Sequence, residues 1–148
     1  MNATASRVIG IVILALLLAG GAHVAKAQSA KERMSAHDWY LTGENLHKRG
    51  EDAKALEAYD NAFEVAGKSR NWLPVSATLA SANILLHQLK YEEAMKTLDR
   101  YSVEDLRELG AGWRVRMLRA RGMVYVSQGK EPEAIAAFKE ALAVEGAQ

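Results

Sequence analysis

The feature that most constrains this chain is an order of small and aromatic residues that recurs three times. Its clearest copy, Leu118 to Leu142, reads L-R-A-R-G-M-V-Y-V-S-Q-G-K-E-P-E-A-I-A-A-F-K-E-A-L. Gly122 precedes Tyr125 by three residues, a turn falls at Gly129 to Pro132, and Ala134, Phe138 and Ala141 follow at helical spacing. Residues three and four apart share one face of a helix. The segment therefore predicts two helices folded back on each other, with a small residue where they touch and aromatic rings wedged between them. Upstream, Trp39, Gly43, Leu46, Gly50, Ala55, Tyr59 and Ala62 fall in the same order. Thr78, Ala82, Leu85, Tyr91, Ala94 and Leu98 repeat it, with Tyr101 where a small residue is expected. Gly43, Ala82 and Gly122 recur at nearly equal intervals. One hairpin of this kind cannot cover its own apolar face, so the copies must stack.

The order resembles the tetratricopeptide repeat, W-x2-L-G-x2-Y…A-x3-F…P over about 34 residues. It departs from that pattern in having Thr42 where leucine is expected and Gly67, Leu106 and Gly146 in place of the final proline. The interval between copies is also longer than the family period. The surplus is assigned to the connections Ser69 to Pro74 and Leu109 to Trp113, where Gly and Pro collect. The resemblance covers Ala36 to Gly146 and implies an all-α fold, three antiparallel helix pairs stacked as a right-handed solenoid, with repeats at about 36–69, 75–108 and 115–148. Trp39, Gly43, Ala55, Tyr59, Ala82, Ala94, Gly122, Tyr125, Ala134 and Phe138 are then the repeat-packing residues. Alanine at Tyr125 or Phe138 is predicted to cost about 3–5 kcal/mol if both are fully buried.

Local signals give the helix bounds. Helices are expected from about Ser35 to Lys48, Asp52 to Ala66, Val75 to Gln88, Tyr91 to Arg100, Trp113 to Ser127 and Pro132 to Val144. Ser102 and Asp105 make a capping box that opens a short extra turn reaching Leu109. The run A-T-L-A-S-A-N-I-L-L in the third helix is apolar on all sides, which predicts neighbours on both flanks.

The N-terminal segment, 1–27, differs from the rest. Arg7, the apolar run Val8 to Ala19 and Ala25-Lys26-Ala27 describe a secretory signal cleaved after Ala27, followed by a polar lead-in over 28–35. The alternative is an uncleaved inner-membrane anchor. With no cysteine there is no lipoprotein site, disulfide framework or thiolate zinc site. The expected localisation is the bacterial envelope, in the periplasm or at the inner membrane. Without Arg7 and Lys26 the rest of the chain, 28–148, carries 17 basic and 18 acidic side chains, a formal net of −1. That balance argues against nucleic acid as a partner.

Catalytic patterns are missing. There is no G-x-S-x-G and no H-E-x-x-H, and G-A-G-W at Gly110 lacks the lysine of a phosphate loop. His37 and His47 are ten residues apart, too far along a helix to share a small ion, so with Glu44 they support only a minor metal-binding or enzymatic alternative. The expected protein is not an enzyme and takes no metal or cofactor. By the resemblance it binds a peptide or protein partner in a concave groove lined by the first helix of each pair. The corresponding residues are His37, Tyr40, Glu44 and His47, then Leu79, Asn83 and Leu86, then Arg116, Arg119 and Met123. The two arginines, three apart, are expected to face one way and suit an acidic or carboxylate-ended partner, or else to be solvated surface charges. Some family members hold chaperone tails through a lysine and asparagine clamp, and Tyr40 and Glu44 stand at those positions, so that clamp is not reproduced. The competing expectation is self-association through Ile135, Phe138 and Leu142, read as a face left uncapped after the sixth helix.

Overall fold

The computed structural model describes residues 34–68 and 71–147, so the signal reading of residues 1–27 and nearly all of the lead-in lie outside the described residues. Seven helices follow one another: α1 (Ala36–Lys48), α2 (Asp52–Ala66), α3 (Trp72–His87), α4 (Tyr91–Leu98), α5 (Val103–Glu108), α6 (Ala111–Ser127) and α7 (Glu131–Glu145). Each packs on its neighbour in the order of the chain, α1 on α2, α2 on α3 and α3 on α4. The short α5 is the extra turn that interrupts the pairing, so α6 packs on α3, α4 and α5 before pairing with α7. No helix among the described residues is long and apolar enough to cross a membrane.

The apolar third helix is central, as its composition demands. Leu73, Ala77 and Ile84 of α3 close one core cluster with Ala55, Tyr59 and Ala62 of α2. Val75, Ala82 and Leu85 turn the other way, into a second cluster with Ala94, Leu98, Tyr101, Val115, Met117, Leu118 and Val124. Helix α3 begins three residues earlier than its sequence suggests. Asn71 caps it by accepting from the Leu73 N–H at 3.3 Å, and Pro74 sits within the first turn, where the missing N–H had no helical acceptor to lose. Ser102 and Asp105 form the expected capping box on α5, and Ser35 with Asp38 forms a second on α1.

The small–aromatic pairing is literal. At Gly43 an added Cβ would lie 2.7 Å from the Tyr59 ring, and at Gly122 it would lie 2.6 Å from the Phe138 ring. In the middle hairpin the ring is replaced by Leu98, and alanine is accommodated at position 82, both buried in one cluster. Tyr101, where a small residue is expected, lies beyond the end of α4 and is buried edge-on to Phe63, with ring centroids 6.2 Å apart. One expectation fails: Tyr125 and Phe138 are only half-buried. Helix α7 packs on α6 alone among the described residues, so its outer side is not covered. Truncating either ring should accordingly cost less than the fully buried range.

The three hairpin turns share one closing bond, from the N–H of Glu51 to Leu46, of Lys90 to Leu85 and of Lys130 to Tyr125. This i to i−5 bond requires a left-handed residue just before the donor. Gly50 and Gly129 supply it at φ 74° and 71°, whereas the middle turn forces Leu89 to φ 61° with its side chain 70% exposed. Leu89→Gly is therefore expected to stabilise the protein by about 1 kcal/mol, since the left-handed region costs a side-chain-bearing residue roughly that much. A raised urea midpoint with an unchanged slope would register it.

A second consequence concerns acid. Lys68, just past α2, reaches the Asp105 carboxylate at 2.5 Å, and the Ser102 N–H donates to the same carboxylate at 2.6 Å. Lys68 first and the Ser102 cap second hold the Asp105 pKa down at about 2. A depressed carboxylate contributes stability above its unfolded pKa and loses it as pH falls through the folded one. Unfolding free energy should therefore decline between about pH 4 and pH 2 more steeply than in Asp105→Asn, measured by denaturant titration at each pH.

Candidate functional site

The residues expected to line a groove come from α1, α3 and α6, and packing of α3 against both other helices makes their faces continuous. At one end stands an aromatic group. Tyr40 lies 5.6 Å from the Tyr59 ring and 5.7 Å, edge-on, from Trp72, while His37 meets Trp72 edge-on at 6.2 Å. The Tyr59 hydroxyl donates to Glu44 at 2.6 Å, which fixes the carboxylate against the wall. Burial and then the Glu44 charge raise the Tyr40 pKa, opposed by the positive charge of Arg116 and a hydrogen bond with Ser76. Tyr59 is raised further, by burial first and by its bond to Glu44 second. Both hydroxyls therefore stay protonated at neutral pH and act as donors.

Further along, α3 and α6 leave a hollow of about 110 Å³ between them. Leu79, Ala82, Asn83 and Leu86 line it from α3, and Ala120, Met123 and Val124 from α6. Four groove residues expected from sequence thus share one concavity, Leu79, Asn83, Leu86 and Met123. Its walls are apolar except for Asn83, which is exposed.

The remaining expected residues go elsewhere. His47 points to the first hairpin turn, where its Nδ1 lies 2.7 Å from Asp52. The arginines part company. Arg116 is exposed with its guanidinium 4.7 Å over the Trp113 ring, close enough to the Tyr40 end to bias that hydroxyl. Arg119 instead borders a separate hollow of about 350 Å³ with Phe138, Ala141, Leu142 and Glu145 of α7. Arg116 lies one turn before Ala120, which faces the hollow against α3, whereas Arg119 lies three positions before Gly122, which meets the Phe138 ring of α7, so the two guanidinium groups find different neighbours. Two contributors were not legible as site residues. Trp72 fell in a stretch read as a connection because helix α3 was expected to begin after Pro74, and Ala120 carries no chemistry of its own, only its place four residues after Arg116. Among the described residues, no three His, Asp or Glu side chains are grouped to hold a metal ion.

Comparison with known proteins agrees with this architecture. The family model of the tetratricopeptide repeat-like domain matches residues 64–148, from the last turn of α2 to the end of the chain, and the chain belongs to that family. No curated protein and no solved structure matches it. Domains of this family are protein-interaction scaffolds and typically non-catalytic. The first hairpin, largely outside the matched residues, repeats the Gly-on-ring contact of the third.

Proposed function

We propose that this chain is a protein-interaction module of the bacterial cell envelope, holding a peptide or protein partner in the α1–α3–α6 groove as an adaptor or assembly factor. The observation that supports the groove is the continuity of rings, apolar walls and an exposed amide from Tyr40 and Trp72 through Leu79 and Asn83 to Met123. The exposed Asn83 amide suits an extended backbone, and an apolar hollow suits its side chains. The export part of the reading is supported by the Arg7, Val8 to Ala19 and Ala25-Lys26-Ala27 pattern, with a retained inner-membrane anchor as the alternative.

The test is affinity capture from an envelope extract with the wild-type chain and with a variant carrying Tyr40→Ala, Asn83→Ala and Arg116→Glu. A partner retained by the first and lost by the folded second supports the groove. A partner retained equally by both overturns it. Export is checked by N-terminal sequencing of the protein from a periplasmic fraction, where Gln28 is expected first.

A second reading has its own observation. Ile135 and Leu142 on α7 are 53% and 65% exposed, and Leu142 also lines the hollow bordered by Arg119, an apolar surface suited to self-association. Sedimentation at rising concentration distinguishes it: a monomer throughout, unaltered by Leu142→Glu, removes this alternative.

A further inference from the structure

We infer that the hollow between α3 and α6 takes one aliphatic side chain from an extended partner segment, and that Arg116 takes an acidic group a few residues away on that segment. The inference rests on the groove reading and adds the chemistry of the partner.

Size comes first. A dry cavity of roughly 150 Å³ lined by aliphatic and aromatic side chains accepts a benzene-sized group. At about 110 Å³, with walls of Leu79, Ala82, Leu86, Ala120, Met123 and Val124, this hollow suits a smaller group, a single leucine, isoleucine or methionine side chain. It lies open to the groove through Met123, which is 51% exposed and, as an unbranched thioether, adapts to the shape that enters. Asn83 is the one polar group at the edge, and its amide supplies both a donor and an acceptor to a passing backbone. An amide there matches an extended chain, whose N–H and C=O groups otherwise lose their water on docking.

Charge comes second. Arg116 forms no ion pair with a described residue, although Arg114, on the same helix, is paired with Glu140 at 2.9 Å and Arg121 with Asp99 at 3.1 Å. Its guanidinium carbon lies 4.7 Å over the Trp113 ring, and its N–H groups make no ion pair with a described residue. The acid on its side of the groove, Glu44, is already engaged by Tyr59. Arg116 precedes Ala120 by one helical turn, about 6 Å along the axis, and its guanidinium lies back over Trp113. Side chains on one face of an extended segment recur every two residues, about 6.6–6.8 Å, which places the acid about two to four residues from the aliphatic anchor.

The probe is a capped nine-residue peptide with a central leucine, aspartates two and four positions to either side, and glycine or serine elsewhere. It is titrated into the full chain while the methyl signals of Leu79, Leu86 and Met123 are followed by NMR. Saturable shifts at these methyls are expected. They should weaken about tenfold or more when the central leucine becomes glycine, when the aspartates become lysines, or when the protein carries Arg116→Glu. Ala120→Leu fills the hollow from within and should abolish the leucine dependence while leaving the fold intact, checked by thermal unfolding. The inference is overturned if these methyls do not move, or if the glycine peptide moves them equally. A groove-dependent partner captured from extract beside an inert peptide would overturn the anchor chemistry and leave the groove reading standing. Peptide binding without groove-dependent capture would do the reverse.

Discussion

Tyr59→Ala is expected to destabilise the protein by about 3–5 kcal/mol in urea unfolding, the range for removing a large aromatic from a packed core. The ring is 1% exposed, stands against the bare backbone of Gly43 and sends its hydroxyl to Glu44. Tyr59→Phe keeps the packing and removes only the donor to Glu44, so about 1–2 kcal/mol is expected. Gly43→Ala attacks the same contact from the other side. Its methyl would lie 2.7 Å from two ring atoms that cannot retreat, an overpacking cost of about 1–3 kcal/mol set against a helix-propensity gain of about 1 kcal/mol. In the Tyr59→Ala background the methyl enters vacated space, so the penalty of Gly43→Ala should disappear and the two changes should be strongly non-additive. Gly122→Ala is the control. The clash with Phe138 is as close, 2.6 Å, but that ring is half-buried and has room to swing outward, so the change should be near neutral. Equal losses at Gly43 and Gly122 would mean that ring confinement does not decide the outcome.

That contrast also marks what the sequence could and could not disclose. Gly43, Ala82 and Gly122 are readable because only a small residue fits where one helix meets another, and the bulky residue that demands it, Tyr59, Leu98 or Phe138, follows at the same distance in the chain. Helix ends set by capping were readable where the signal was complete, as at Ser102 to Asp105, and the same S-x-x-D order stands at Ser35 to Asp38. The start of α3 was not, because proline is admitted throughout a first turn and its position there does not say which residue comes first. The candidate site was legible in its membership more than in its geometry. Leu79, Asn83, Leu86 and Met123 gather as their register implies. Arg116 and Arg119 separate because they meet different neighbours: Arg116 stays over Trp113, while Arg119 shares the flank of α6 that packs on α7 through Gly122 and Phe138. Spacing gives a helix face; only packing says which surface that face meets.

Arg121 is the residue for which sequence offered least, since an arginine among three others on α6 reads as solvated charge. Its side chain is 13% exposed. One guanidinium nitrogen donates to the carbonyls of Leu98 and Tyr101, at 3.3 and 2.6 Å, and lies 3.1 Å from the Asp99 carboxylate. Helix α4 has only eight residues, and its last carbonyls are closed by the chain that follows, Thr97 accepting from the Arg100 N–H at 3.3 Å and Leu98 from the Tyr101 N–H at 3.2 Å, so Arg121 adds a second, charged donor at this end, beside the buried Tyr101. Arg121 closes that end and in doing so fastens the middle hairpin to α6, the helix that carries half of the hollow. Arg121→Met is expected to cost about 2–4 kcal/mol, because it removes two hydrogen bonds from a charged donor, each contributing about 1.5–3 kcal/mol. The upper end is discounted because Nε of the same side chain is itself buried without a partner. Arg121→Lys should recover only part of the loss, a single ammonium being unable to reproduce the planar fork. Asp99 is 60% exposed, so its ion pair is a minor contributor and Asp99→Asn should cost under about 1 kcal/mol. High salt should likewise leave the Arg121→Met penalty in place. If Asp99→Asn proves as damaging as Arg121→Met, or salt erases the difference, then the ion pair and not the helix end is what Arg121 serves.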